Sequence, residues 1–136
     1  MNKQKKIISL IPAIWASSFD IVITIIHQSK EYWNGNLSVA NEGNPIGAFF
    51  MKNHISGIFL ISALWLITIG LLGYYLPKKL AKVFLLFILL VHSWGASGWL
   101  YQYYSFWCVL LFMLINSVLF WKIEDYCQNT NSANAK

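Results

Sequence analysis

Hydrophobic residues run along the chain in four long stretches separated by short polar segments. The stretches cover approximately residues 7–28, 55–76, 80–101 and 104–121. About 20 apolar residues in a helix cross the roughly 30 Å hydrocarbon core of a bilayer. Within that core each backbone polar group must be satisfied inside the segment, as a helix does. The pattern therefore predicts an all-α fold: a polytopic membrane protein with four transmembrane helices in a small bundle.

The composition excludes a water-soluble globule. Of the 136 residues, 57% are hydrophobic and 11% are charged, whereas an average soluble domain has about 25% charged residues. The two cysteines, Cys108 and Cys127, are too few for a secreted disulfide scaffold. We expect residues 1–127 to form a single four-helix membrane domain. The polar residues 128–136 are expected to form a disordered cytoplasmic tail.

The placement of lysine predicts the orientation of the chain. Eight lysines lie at helix ends that would share one side of the membrane: Lys3, Lys5, Lys6, Lys78, Lys79, Lys82, Lys122 and Lys136. Only Lys30 and Lys52 fall on the other side. The positive-inside rule then places both termini in the cytoplasm, with the chain in the cell (inner) membrane. The net charge of +5 is explained by this topology, so the expected partner is the lipid bilayer and not nucleic acid.

The first span has one small, polar face and one bulky face. At about 100° per residue, the polar face contains Ala13, Ala16, Ser17, Asp20, Thr24 and His27. The opposite face contains Ile11, Ile14, Trp15, Val22, Ile25 and Ile26. An ionisable group is costly in hydrocarbon, so Asp20 is expected to face the other helices. It would act there as a functional group or as a hydrogen-bonding group that holds helices together.

His92 lies in the middle of the third span. At about 1.5 Å per residue, Asp20 and His92 are each roughly 18–20 Å from the cytoplasmic ends of their helices. A carboxylate and an imidazole at one depth can share a proton or a metal ion, or form a neutral hydrogen-bonded pair. Asp20 and His92 are therefore candidate catalytic residues, with a purely structural contact as the alternative.

A long outer loop separates the first two spans. Asn44 followed by Pro45 is a typical helix start, with an N-cap side chain and proline at the first helical position. We expect a short interfacial helix over residues 45–51 and a break at residues 53–57 before the second span.

The loop would bring more polar groups to the outer mouth of the bundle. The predicted binding or structural cluster consists of Asp20, Thr24, Glu42, Asn44, His54 and His92. Four of the chain's side chains are candidate ligands for a divalent metal cofactor: His27, Glu42, His54 and His92. No short spacing such as His-x3-His links them.

Two short motifs carry a family resemblance. Asp20-x3-Thr24 in the first span, followed by Glu42-x-Asn44-Pro45, resembles an uncharacterised family of small prokaryotic membrane proteins. In that family an Asp-x3-Thr helix, a glycine-containing loop and a Glu-x-Asn-Pro element precede two or three further helices. The likeness covers about two fifths of the chain. Since the family has no established activity, the resemblance implies only that the motif residues form one unit.

Three functions stay open. The favoured one is a binding or accessory subunit of a larger membrane complex, in which the polar cluster fixes the loop onto the bundle. The second is a metal-assisted membrane enzyme acting on a lipid or isoprenoid substrate. The third is an oligomeric proton- or cation-coupled transporter that uses Asp20. Since lysine asymmetry fixes one orientation, a homo-oligomer of this kind would be parallel.

Overall fold

Every element of the described chain is helical. The computed structural model describes residues 3–133. Within that range the elements are α1 (Lys3–Ser9), α2 (Ile11–Ile26), α3 (Lys30–Trp33), a 3-10 turn (Leu37–Val39), α4 (Pro45–Asn53), α5 (Gly57–Tyr75), α6 (Lys78–Tyr103) and α7 (Phe106–Ala133). The absence of strands from residues 3–133 confirms the predicted all-α class.

Four helical segments are long and apolar enough to cross a membrane. They are Lys3–Ile26, Gly57–Tyr75, Lys78–Tyr103 and Phe106–Gln128. Helices of this length and hydropathy are typical of a membrane protein. Their bounds lie close to the predicted spans, except that α7 continues to Ala133.

Residues 128–133 are thus helical where the sequence predicted disorder. A helix that has already formed extends easily, because each added residue gains a hydrogen bond without a new nucleation cost. The last part of the predicted tail, residues 134–136, lies outside the described residues.

A proline divides the first apolar segment into α1 and α2. Pro12 stands at the start of α2 and has no backbone N–H to donate to the preceding turn. Leu10 joins the two helices, and its N–H bonds to the carbonyl of Ile7 at 3.1 Å, in a tighter turn than the α-helix makes.

Helices α2 and α6 are the central pair, because each packs against the other and against α5 and α7. We call the end of the molecule that holds residues 27–56 and the 104–105 turn the loop end, and the opposite end the terminal end. The chain direction makes α2 and α6 parallel neighbours, so residues that follow each other on α2 have partners that follow each other on α6.

Two apolar clusters fill the space between the long helices. The terminal-end cluster consists of Ala13, Ile69, Leu85 and Ile88. The loop-end cluster consists of Ile23, Ala96, Leu100 and Phe112. Asp20 on α2 and His92 on α6 lie between the residues of these two clusters. We call the level of these two side chains the polar layer; it has apolar packing on both sides.

The loop packs onto the bundle end through its own small core. Tyr32, Met51 and Ile58 are buried together, and the Tyr32 hydroxyl donates to the Ile55 carbonyl at 3.0 Å. The predicted short helix is present as α4, whose first turn is capped by Asn44 Oδ1 accepting the Ile46 N–H at 3.0 Å.

The corner between α4 and α5 depends on a glycine. A Cβ on Gly57 would lie 2.0 Å from the Phe50 carbonyl oxygen, so only glycine allows α4 and α5 to approach this closely.

Candidate functional site

Three helices contribute to a chain of side-chain hydrogen bonds in the polar layer. The Nδ1 atom of His92 lies 2.8 Å from Oδ2 of Asp20. The indole Nε1–H of Trp65 donates to Nε2 of His92 at 2.7 Å. The side chains of His92 and Asp20 are 13% and 18% exposed. The order Trp65–His92–Asp20 therefore links α5, α6 and α2.

The indole determines which nitrogen of His92 holds the proton. An indole N–H is only a donor, so Nε2 must accept with its lone pair. The proton of a neutral imidazole then resides on Nδ1 and is donated to Asp20. Both nitrogens of His92 are engaged in this arrangement.

The faces of α2 are oriented as the sequence pattern predicts. The small face is buried, including Ala13, Ala16, Ser17 and Thr24. Exposed residues of the bulky face include Ile11, Trp15, Val22 and Ile26. Asp20 therefore faces the helices. Its carboxylate packs against the backbone of α6, since a Cβ on Gly95 would lie 2.9 Å from Oδ2 and 3.0 Å from Oδ1.

A cavity of about 220 Å³ lies at the loop end of this layer. It is lined by Asn41, Glu42, Gly43, Gly95, Gly98, Trp99 and Gln102. Gly95 forms part of the cavity wall and also contacts the carboxylate of Asp20. The cavity therefore adjoins the hydrogen-bonded chain on one side and the outer loop on the other.

Glu42 supplies the carboxylate on the loop side of the cavity. Its Oε1 accepts the backbone N–H of Asn44 at 2.7 Å. Its Cγ lies 2.9 Å from the position of a Cβ on Gly47, so α4 packs directly on the Glu42 side chain.

Burial and charge both act on Glu42. Burial raises the pKa of the Glu42 carboxyl above 4.5, and the Asn44 hydrogen bond partly offsets this. The charge of Asp20 raises the pKa of Glu42 further. Glu42 is therefore coupled electrostatically to the pair beneath the cavity.

Gln28 fixes the loop over the cavity. Its Nε2 donates to the Asn41 carbonyl at 2.7 Å, and its Oε1 accepts the Asn41 N–H at 2.9 Å. Nε2 also lies 3.3 Å from the carbonyl oxygen of Thr24, one turn earlier on α2. Thr24 itself is buried. The backbone of Asn41, the residue next to Glu42, is thus held by two hydrogen bonds to the Gln28 side chain, just after the end of α2.

His27 lies in a different environment, among aromatic rings at the loop end. Its Nδ1 lies 2.9 Å from the Ile23 carbonyl oxygen. Its ring centroid lies 4.2 Å from that of Tyr103 and 5.9 Å from that of Trp99. His27 also lines a second cavity, of about 430 Å³, together with Glu31 and residues of the loop.

The predicted metal ligands do not come together. His54 lies at the exposed corner between α4 and α5, where its Nδ1 is 2.7 Å from the Ser56 hydroxyl. Asn44 caps α4, and His92 has no free ring nitrogen. Among the described residues, no group of three His, Cys, Asp or Glu side chains is placed to hold a metal ion.

Sequence reasoning missed Trp65 and Gln28. A tryptophan in the middle of an apolar span needs an acceptor for its N–H, which is a usable signal for Trp65. Gln28 follows Asp20 and Thr24 at intervals of four residues, so it continues the same helix face.

No protein-family model matches the chain, and no curated protein or solved structure matches it significantly. The resemblance carried by the Asp20 and Glu42 motifs thus stays a prediction.

Proposed function

We propose that this chain is an integral membrane protein that binds a small, positively charged ligand in the 220 Å³ cavity at its loop end. It would act as a binding or accessory subunit of a membrane complex. One observation carries the proposal: the cavity has Glu42 on its loop side and adjoins, through Gly95, the carboxylate of Asp20.

The lining of the cavity favours a cation. Its lining residues include the acidic Glu42, the amide residues Asn41 and Gln102, and the aromatic Trp99, but no Lys or His. A carboxylate beside an aromatic ring is the usual combination for recognising an ammonium group. Typical drug-sized pockets are about 300–1,000 Å³, so this cavity favours a smaller ligand.

The state of His92 favours binding over catalysis. A general base or a metal ligand needs a free lone pair on an imidazole nitrogen. In His92, Nε2 accepts from Trp65 and Nδ1 bonds to Asp20. An enzyme acting on a lipid or isoprenoid would first have to break the Trp65 contact.

Transport is less well supported than binding. On the terminal side of Asp20, the apolar side chains of Ile69, Leu85 and Ile88 pack against Ala13. A transporter that uses Asp20 would have to separate α2 from α6 across this cluster.

In the proposed orientation the protein lies in the inner membrane with both termini on the cytoplasmic side, so the cavity opens to the outside of the membrane. The lysine distribution supports it. A reporter that is active only outside the membrane should be inactive when fused after Lys136 and active when inserted at Gly35, an exposed turn residue. The reverse result would refute this orientation.

Binding is tested with radiolabelled choline, ammonium and guanidinium as probes, by equilibrium dialysis against the purified protein in nanodiscs. We expect saturable binding of at least one cation. If choline binds, its neutral isostere dimethylbutanol should not compete. Glu42→Gln should weaken binding at least tenfold, whereas Glu31→Gln, which changes an exposed acid outside the cavity, should leave it unchanged. Equal affinities of wild type and Glu42→Gln, or no binding of any probe, would refute the proposal.

A further inference from the structure

The wall of the 220 Å³ cavity includes exposed residues of a helix that is long enough to cross a membrane. Gly95 and Gly98 of α6 both line the cavity and are both exposed. A Cβ on Gly98 would meet nothing within 4 Å, so the space beside it is open. An exposed surface on a membrane-spanning helix faces acyl chains. The cavity can therefore be entered sideways from the bilayer.

The cavity extends along α6 away from the loop. Gln102, next to the last residue of α6, lines it together with Gly95. At about 1.5 Å per residue, these two positions are about 10 Å apart along the helix axis. In a membrane, the wall of the cavity would thus reach from the headgroup level into the outer acyl chains.

The volume of the cavity suits a headgroup but not a whole amphiphile. Pockets for drug-sized ligands are about 300–1,000 Å³, so an attached alkyl chain would have to leave the cavity. The exposed glycines offer an exit that no side chain blocks. One helical turn before them on the same face of α6 lie Val91 and Trp94, both exposed and apolar.

We propose that the ligand is a long-chain amine that enters from the bilayer, an inference that rests on the cation site proposed above. Its ammonium group would bind at Glu42, and its alkyl chain would leave over Gly95 and Gly98. The described residues that line the cavity include no Lys or His to pair with a phosphate. The lining therefore favours a simple amine over a phospholipid headgroup.

Photo-crosslinking in nanodiscs tests the path of the chain. The probe is hexadecylamine that carries a diazirine close to the amine, and adducts on the full-length protein are located by mass spectrometry of its peptides. We expect saturable labelling of the exposed face of α6 at Val91 and Trp94. Unlabelled hexadecylamine should compete, whereas the neutral hexadecanol should not. Glu42→Gln should reduce the labelling at least fivefold.

Two glycine variants separate the lateral opening from general effects on the helices. Gly98→Leu places a side chain in the opening and should reduce labelling at least fivefold. Gly70→Leu is the matched control, because a Cβ on Gly70 also meets nothing within 4 Å but Gly70 lies in α5, away from the cavity wall. This variant should be labelled as the wild type is.

The inference is overturned if the adducts lie elsewhere, if hexadecanol competes as well as hexadecylamine, or if Gly98→Leu is labelled as the wild type is. If any of these results accompanies choline binding that depends on Glu42, the proposed cation site stands and only the lipid-side entry fails. If Glu42→Gln changes neither choline binding nor amine labelling, both proposals fail.

Discussion

Gly95 provides a direct test of the contact between α6 and the Asp20 carboxylate. In Gly95→Ala, the new Cβ would lie 2.9 Å from Oδ2, 3.0 Å from Oδ1 and 3.2 Å from Cγ of Asp20. The carboxylate must then move by a few tenths of an ångström, which disturbs its 2.8 Å contact with His92. Overpacking of this kind costs about 1–3 kcal/mol. Alanine regains about 1 kcal/mol through helix propensity, so we expect a net loss of roughly 0–2 kcal/mol.

The matched control lies one turn further along the same helix. A Cβ on Gly98 meets nothing within 4 Å, so Gly98→Ala should gain helix propensity without a steric cost. The two variants should therefore differ by about 1–3 kcal/mol in the free energy of unfolding. Unfolding by SDS in mixed micelles, followed by circular dichroism, measures this difference. If Gly95→Ala stabilises the protein as much as Gly98→Ala does, the carboxylate does not pack on α6 as described.

Three further changes test the loop and the hydrogen-bonded chain. Gln28→Ala removes both side-chain bonds to the Asn41 backbone, so amide exchange in the loop should accelerate about tenfold or more at a cost of about 1–3 kcal/mol. Burial raises the pKa of Glu42, so loop docking is strongest when Glu42 is protonated and weakens as the pH rises through that pKa. Glu42→Gln should thus match the wild-type Tm near about pH 4 and exceed it near about pH 7. Trp65→Phe removes the donor to Nε2 of His92 while Nδ1–H still bonds to Asp20, so ¹⁵N NMR should show a shifted Nε2 resonance with the Nδ1–H form retained.

Each of these changes has a control on a comparable side chain. Gln102→Ala alters an exposed glutamine that lines the 220 Å³ cavity and should leave loop exchange unchanged. Glu31→Gln should not reproduce the pH-dependent difference in Tm, since Glu31 is exposed. Trp94→Phe changes an indole that is 77% exposed on α6 and should leave the Nε2 resonance of His92 unchanged. A control that behaves like its test variant would contradict the corresponding assignment.

The sequence predicts the helices and the inward face of α2 well, because both follow from simple periodicity. Polar and small residues recur at helical spacing through Ala13, Ser17, Asp20 and Thr24, and only one orientation keeps them out of lipid. The start of α4 can also be predicted from the local sequence, since the N-cap bond of Asn44 needs no distant partner.

The contacts between helices could not be read from the sequence in the same way. Equal depth places Asp20 and His92 in one layer, but the rotation of α6 about its axis decides whether they touch. The role of Trp65 depends on the rotation of α5, whose sequence is apolar on all sides and so gives no preferred face. The sequence predicts that His54 joins the polar cluster at the outer mouth of the bundle, yet its Nδ1 lies 2.7 Å from the Ser56 hydroxyl in a local turn.

The arrangement of the hydrogen-bonded chain has a consequence for biosynthesis. Its three side chains belong to α2, α5 and α6, which emerge from the ribosome in that order, whereas α7 contributes no side chain to it. The carboxylate can thus find its imidazole partner before the last helix is made. We therefore expect a nascent chain of the first 105 residues to form the bond between Asp20 and His92 before α7 is made.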